Sequence, residues 1–183
     1  MAVSWRGWLD AWQARQARQR REREEAYQWF LLAGYCAVDA CRSPRPEALQ
    51  PLYPPADRFW ADPFAWRREG RYYVFFEEYP YATRRGHISV MELDGAAQPA
   101  GAPRPVIQEP YHLSYPCLFE FGGELYMIPE KKAARRVDLY RCVAFPDRWE
   151  VVRTWFKSAR MVDCTVFEHG GRWWLFCSVK GQG

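Results

Sequence analysis

Three stretches of this chain superimpose without a gap, and that self-similarity limits the possible folds more than any single motif. The first runs Asp62-Pro63-Phe64-Ala65-Trp66, turns at Gly70 and continues Arg71-Tyr72-Tyr73-Val74-Phe75-Phe76-Glu77. The second is Tyr115-Pro116-Cys117-Leu118-Phe119, a turn at Gly122-Gly123, then Glu124-Leu125-Tyr126-Met127-Ile128-Pro129-Glu130. The third is Asp163-Cys164-Thr165-Val166-Phe167, a turn at Gly170-Gly171, then Arg172-Trp173-Trp174-Leu175-Phe176-Cys177-Ser178. The period is roughly 50 residues, which is the range of propeller blades.

Each copy has the composition of a β-hairpin: a β-branched or aromatic strand, a glycine turn that tolerates positive φ, and a second aromatic strand. Two more strands follow in the first two copies, His87 to Leu93 with Pro105 to Gln108, and Arg136 to Cys142 with Trp149 to Trp155. Four antiparallel strands per unit make a propeller blade. The expected fold is therefore all-β: a partial β-propeller over residues 29–183, with four-stranded antiparallel blades starting near 59, 112 and 160. Known rings hold four or more blades, so two blades and half of a third read as an incomplete ring and an incomplete chain.

Ahead of the repeats, residues 1–28 form a separate expected unit, an N-terminal amphipathic α-helix. Trp5, Trp8, Leu9 and Trp12 recur at helical spacing on a background of Gln, Arg and Glu. Its aromatic face calls for a partner: the rest of the chain or another protein first, a membrane surface after that. Trp29-Phe30-Leu31-Leu32 reads as a short buried strand. The stretch from there to Pro55 carries five prolines and reads as a connecting loop.

Hydrophobic types at 49% of 183 residues are enough for one core, and aromatics at 17% suit sheet surfaces and sugar-facing clefts. The 26 basic side chains exceed the 22 acidic ones mainly through the run from Arg15 to Arg23. A nucleic-acid surface would need basic groups spread over a folded face, so no nucleic-acid partner is expected. Six cysteines without paired spacing and the absence of a secretory leader imply reduced thiols and a cytoplasmic location. The longest apolar stretch, Trp29 to Val38, is far short of the roughly 20 residues that span a bilayer, so no transmembrane segment is expected. His87, His112 and His169 share no ligand spacing, and no P-loop, dinucleotide fingerprint, nucleophile elbow or zinc-protease motif occurs. Neither a metal site nor a cofactor is expected.

In an antiparallel blade the first strand starts on the rim where the second ends. Asp62 and Glu77, Tyr115 and Glu130, and Asp163 therefore belong to one mouth. Such a ring of carboxylates suits glycoside chemistry, in which one carboxyl protonates the leaving oxygen and another attacks or activates water across about 5 to 9.5 Å. Purely structural roles also fit: Asp62 as a strand initiator before Pro63, Asp163 in a matching turn, and Glu77, Glu78 and Glu130 as solvent-facing strand ends. Trp60, Tyr79, Tyr81, His87, His112 and Tyr115 are placed to stack on sugar rings, to donate hydrogen bonds, or to pack the sheet.

The words Arg58-Phe59-Trp60-Ala61-Asp62-Pro63-Phe64, Gly86-His87-Ile88-Ser89-Val90, His112-Leu113-Ser114-Tyr115-Pro116 and Ile128-Pro129-Glu130 resemble the N-terminal propeller domain of glucosamine inositolphosphorylceramide transferases. The resemblance runs from Trp29 to the end and implies a bacterial member of that family. It also implies a fold similar to the five-bladed propellers of arabinanase and xylosidase-type glycoside hydrolases, whose first blade opens with an Asp-Pro pair carrying the base. By that resemblance Asp62 is the general base, with Asp163 and Glu130 as catalytic partners. Tyr115 at the head of the second blade and Lys131-Lys132 after Glu130 depart from the hydrolase pattern. In plant-like members sugar transfer belongs to a separate C-terminal glycosyltransferase domain, which is not expected in this chain. The first expectation is a carbohydrate-recognising module of glycan or glycolipid metabolism, whose partner is a carbohydrate or a glycolipid headgroup. A glycosidase-like enzyme and an interaction domain that docks a protein through its N-terminal helix are the alternatives.

Overall fold

The structure, a computed structural model, describes residues 12–16, 28–36, 46–179 and 181. Residues 12–16 are helical. The rest of the expected helix, with Trp5, Trp8 and Leu9, lies outside the described residues. Almost everything else is β: twelve strands among the described residues, all in antiparallel sheets.

The first full sheet has the order β3 (Arg58–Arg68), β4 (Arg71–Pro80), β5 (His87–Leu93), β6 (Arg104–Ile107). The second repeats it with β7 (Ser114–Phe121), β8 (Glu124–Glu130), β9 (Val137–Ala144) and β10 (Arg148–Trp155). β11 (Met161–His169) and β12 (Arg172–Val179) form the third hairpin. The first two strands of each unit meet at a two-residue turn, Glu69-Gly70, Gly122-Gly123 or Gly170-Gly171. All six of these residues have positive φ, the primed geometry whose twist matches the flanking strands.

Side-chain alternation makes each sheet two-faced. From the first sheet, Tyr73, Phe75, Ile88 and Val90 pack with Leu125, Met127, Tyr140 and Trp149 of the second. The opposite face, Val74, Phe76, Met91 and Leu93, packs with Trp60 against Leu31 and Leu52. Ile128, Val137 and Cys164 hold the second sheet to the third hairpin. Phe75, Phe76, Met127 and Ile128 are fully buried, which contributes roughly 1.5–3 kcal/mol each. Consequently β3 lies against β7 and β7 against β11, so the first strands of the three units are neighbours.

Leu31 and Leu52 belong to a small ribbon of β1 (Leu31–Ala33) and β2 (Gln50–Leu52). This corrects the reading of the proline-rich stretch as loop alone. Pro51 pairs opposite Leu32 in a two-stranded ribbon, where a missing N–H facing outward costs the ladder nothing. The expected buried strand is also narrower than its apolar sequence suggests: Leu31 is buried, whereas Trp29, Phe30 and Leu32 are exposed.

The expectation of six reduced thiols is corrected at Cys36, which is disulfide-bonded. Pairing requires only that two Cα atoms approach closely, not a short CxxC spacing. Cys117, Cys142, Cys164 and Cys177 are free. Among the described residues no helix is long and apolar enough to cross a membrane.

Candidate functional site

All three first strands are broken at the same repeat position. The pairing register slips between Ala61 and Phe64, between Ser114 and Cys117, and between Val162 and Thr165. Inside each slip stands a non-glycine residue with left-handed backbone: Asp62 at φ 50°, Tyr115 at 45° and Asp163 at 53°. That conformation costs an L-residue about 1–2 kcal/mol, and bulges of this kind re-aim a side chain out of the strand's alternation.

The bulges link neighbouring units. Asp62 Oδ2 accepts a hydrogen bond from the Tyr115 N–H at 3.2 Å, and Glu130 Oε2 accepts one from the Asp163 N–H at 3.2 Å. The Tyr115 hydroxyl meets Thr165 Oγ1 at 2.8 Å, and its ring stands edge-on to Phe64 at 5.1 Å. Four carboxyls from three units thus share one electrostatic field. Burial pushes Glu77 up to about 8, with the charges of Asp62 and Glu130 adding to the shift. Burial also raises Asp62, reinforced by Asp163 and opposed by the Tyr115 amide. Glu130 is raised by burial and by Asp163 and Asp62, against the Asp163 amide.

His112 completes this group. Its Nδ1 accepts from the Gly86 N–H at 2.9 Å, so the neutral ring carries its proton on Nε2, which faces Glu77 Oε1 at 3.4 Å. Burial lowers the His112 pKa and favours that neutral form. Gly86 is required by space: a Cβ there would lie 2.7 Å from both Glu77 Oε1 and the Leu113 carbonyl oxygen. Tyr79 stands against the His112 ring at 5.8 Å and stacks on Phe59 at 4.6 Å, giving the group an aromatic flank.

Of the residues singled out by sequence, Asp62, Glu77, Glu130, Asp163, Tyr115 and His112 are brought together. Trp60 and His87 are not, because they converge on Glu78, on the opposite face of β4. Arg58 Nη1 reaches Glu78 Oε1 at 2.8 Å, and the Trp60 indole N–H reaches the same oxygen at 3.5 Å. His87 Nε2 and Ser89 Oγ donate to Oε2 at 3.2 and 2.5 Å. Burial alone would raise Glu78, but its donors His87, Ser89 and Arg58 outweigh burial and hold it at about 2. The solvent-facing role considered for Glu77 and Glu78 is therefore corrected: both are buried, since neighbouring elements cover both faces of β4.

Lys131 occupies the repeat position of Glu78, with the opposite charge. It is buried on Asp138, which stands at the position of Ser89 and also accepts from Arg136 Nε at 2.9 Å and Thr154 Oγ1 at 2.5 Å. Burial pushes Asp138 up, yet these three donors together hold it below the usual carboxylate range. Tyr140, which donates to Glu109 at 2.9 Å, borders the pair. Sequence reasoning missed this network. Its available signal was the exchange of Glu78 and Ser89 for Lys131 and Asp138 between equivalent positions.

Beside the carboxylates opens a cleft of about 590 Å³ lined by His112, Glu130, Lys132, Ala133, Arg135 and Arg160. A second, of about 550 Å³, shares Arg135 and adds Arg136, Lys157 and Ser158. Among the described residues no three His, Cys, Asp or Glu side chains are grouped to hold a metal ion.

Together these features define a β-repeat domain whose units pool carboxylates on one rim, Asp62 and Asp163 from bulges of first strands and Glu77 and Glu130 from second strands. The chain belongs to the family described as glucosamine inositolphosphorylceramide transferase 1, N-terminal, which residues 48–182 match. It is 36% identical over 123 residues to glucosamine inositolphosphorylceramide transferase 1 of Arabidopsis thaliana. It is 33% identical over 123 residues to the proteins of that name from Oryza sativa subsp. indica and subsp. japonica. Each alignment covers 66% of this chain but only 16% of the relative. No solved structure matches the chain.

Proposed function

We propose that the described repeats are blades of a β-propeller of the five-bladed type, and that their shared mouth binds carbohydrate as a recognition module of glycolipid glycan metabolism. The supporting observation is the convergence of Asp62, Glu77, Glu130 and Asp163, with His112 and Tyr115, from three sequence-distant units. Ionised carboxylates accept from sugar hydroxyls, while protonated Glu77 and the His112 Nε2–H donate, so both halves of a hydroxyl's hydrogen-bonding capacity are met. The Phe59–Tyr79 stack supplies an apolar face for a sugar ring. Family membership supports the glycolipid setting. A glycan array probed with the whole chain tests the reading. Binding that falls about tenfold or more in Asp62→Asn/Glu130→Gln supports it, and an array without a single hit rejects it.

A glycosidase-like reading is favoured by one observation: Glu77, pushed up to about 8, is a protonated carboxyl beside groups able to ionise, the division of labour that glycoside hydrolysis uses. In this reading Asp62 is the base and Asp163 or Glu130 its partner. Hydrolysis of aryl glycosides that drops roughly 10²–10⁴-fold in Asp62→Asn would establish it. An unchanged rate would dismiss Asp62 from the chemistry.

A further inference from the structure

The third unit departs from the first two at one facing pair of positions. In each unit the bulge of the first strand sets two residues opposite a single residue of the second strand. The pairing leaves Asp62 and Pro63 opposite Phe76 in the first unit, and Tyr115 and Pro116 opposite Pro129 in the second. In the third it leaves Asp163 and Cys164 opposite Cys177. Two inert side chains are thus replaced together, Pro by Cys on one strand and Phe or Pro by Cys on the strand that faces it. Pro116 and Pro129 are fully buried, so packing at these positions is met without a thiol on either strand.

The two thiols also meet. Cys164 is buried in the cluster of Ile128 and Val137, Cys177 packs half-buried against it, and the two side chains are hydrogen-bonded. Residues that face each other across an antiparallel ladder stand about 4.5–5.5 Å apart at Cα, within the roughly 4.4–6.8 Å that a disulfide spans. A third thiol, Cys117 of β7, accepts from the Val166 N–H at 3.4 Å across the boundary between units. We infer that Cys164 and Cys177 are a dithiol–disulfide site, which when oxidised fastens the third hairpin at the kink that presents Asp163. This site stands apart from the carbohydrate reading. Its oxidant is a small disulfide such as glutathione disulfide. Half-buried Cys177 loses its proton to water, and its thiolate attacks one sulfur of that disulfide, breaking the S–S bond and releasing one glutathione thiolate. Cys164, which burial and then Cys177 push up to about 12, reacts second and within the chain. Its sulfur displaces the remaining glutathione from Cys177, and its proton passes to the departing sulfur. Two protein thiols are oxidised to one disulfide, and glutathione disulfide is reduced to two glutathiones.

Incubation of the whole chain in glutathione mixtures of rising disulfide content, followed by alkylation and peptide mass mapping, tests it. A Cys164–Cys177 bridge is expected to accumulate while Cys117 and Cys142 stay alkylatable, and dithiothreitol should reverse it. Cys164→Ser should stop at a glutathione adduct on Cys177, whereas Cys177→Ser should leave Cys164 unmodified, which fixes the order of attack. Thermal unfolding supplies a second readout, compared at mixtures in which the maps show the Cys36 bridge intact. Oxidation should raise the melting temperature of the parent by several degrees and leave both serine variants unmoved, since the bridge restricts the unfolded chain. The parent alone carries both readouts, so a serine variant that folds poorly does not blunt the test. If both thiols remain alkylatable even in glutathione disulfide alone, or if Cys164 pairs with Cys117 instead, the site is overturned. A Cys164–Cys177 bridge that leaves the melting temperature unchanged or lowers it overturns the fastening.

Discussion

Glu77 and Glu78 are chain neighbours with opposite acid–base behaviour, and the cause is the face of β4 each one takes. Glu78 meets four donors and is held at about 2, so its contribution to stability is fully present above its ordinary value of 4.5 and is lost as pH falls through 2. That shift corresponds to about 3 kcal/mol. Glu77 is buried beside Asp62 and Glu130, and burial first, with their charges added, pushes its folded pKa up to about 8. Its contribution is fully present below 4.5 and is lost as pH rises through 8, because the folded state retains a proton the unfolded chain has released. Glu77→Gln should therefore match the parent in thermal unfolding below pH 4.5 and exceed it above pH 8, by on the order of a few kcal/mol. Parallel curves across that range would show that folding leaves the Glu77 pKa unshifted. Gly86→Ala should destabilise by about 1–3 kcal/mol in chemical denaturation, since the added methyl meets the Leu113 carbonyl, which as backbone cannot swing aside.

At the scale of the element, the Lys131–Asp138 pair is the internal fastening of the second sheet, reaching from the end of β8 to β9 and on to Thr154 of β10. Lys131→Met alone leaves a buried carboxylate short of a donor and should cost about 3–5 kcal/mol, whereas Lys131→Met/Asp138→Leu should recover most of it. Urea denaturation of the two variants checks this, and equal losses in both would mean that the pair acts through packing alone. The bulges permit a second test. Asp163→Gly should keep or raise the melting temperature because glycine adopts positive φ freely, while Asp163→Val should lose about 1–2 kcal/mol. The hairpins and their turns were legible in sequence, because a glycine turn between aromatic strands repeats three times and β5 falls on the expected His87–Leu93. The meeting of Asp62, Glu77, Glu130 and Asp163 was legible for the same reason, since antiparallel pairing dictates which strand ends share a rim. The burial of Trp60 and Glu78, with His87 half-buried beside them, was not. Alternation assigns a residue to a face, but the segment that covers this face, β1 with β2, comes from a proline-rich stretch whose local signals point to loop.

Over the whole molecule, each unit buries one face against the next, and the third hairpin shows the face that such packing leaves uncovered. Tyr73 and Phe75 of β4 and Ile128 of β8 are buried, whereas Trp174 and Phe176, at the same repeat positions of β12, are 44% and 53% exposed. The isolated 183-residue chain should therefore self-associate through this face and the neighbouring strand edge. Light scattering should show Trp174→Lys/Phe176→Lys closer to the monomer mass than the parent, and a parent that is already a clean monomer would contradict the expectation. The bulges have a consequence of another kind. An acid stands at that kink in the first and third units and a tyrosine in the second, so the backbone accepts unlike side chains at the rim where, in the proposed function, each unit faces the ligand. New binding preferences can thus evolve by single-codon exchanges at three addresses, leaving the architecture that presents them untouched.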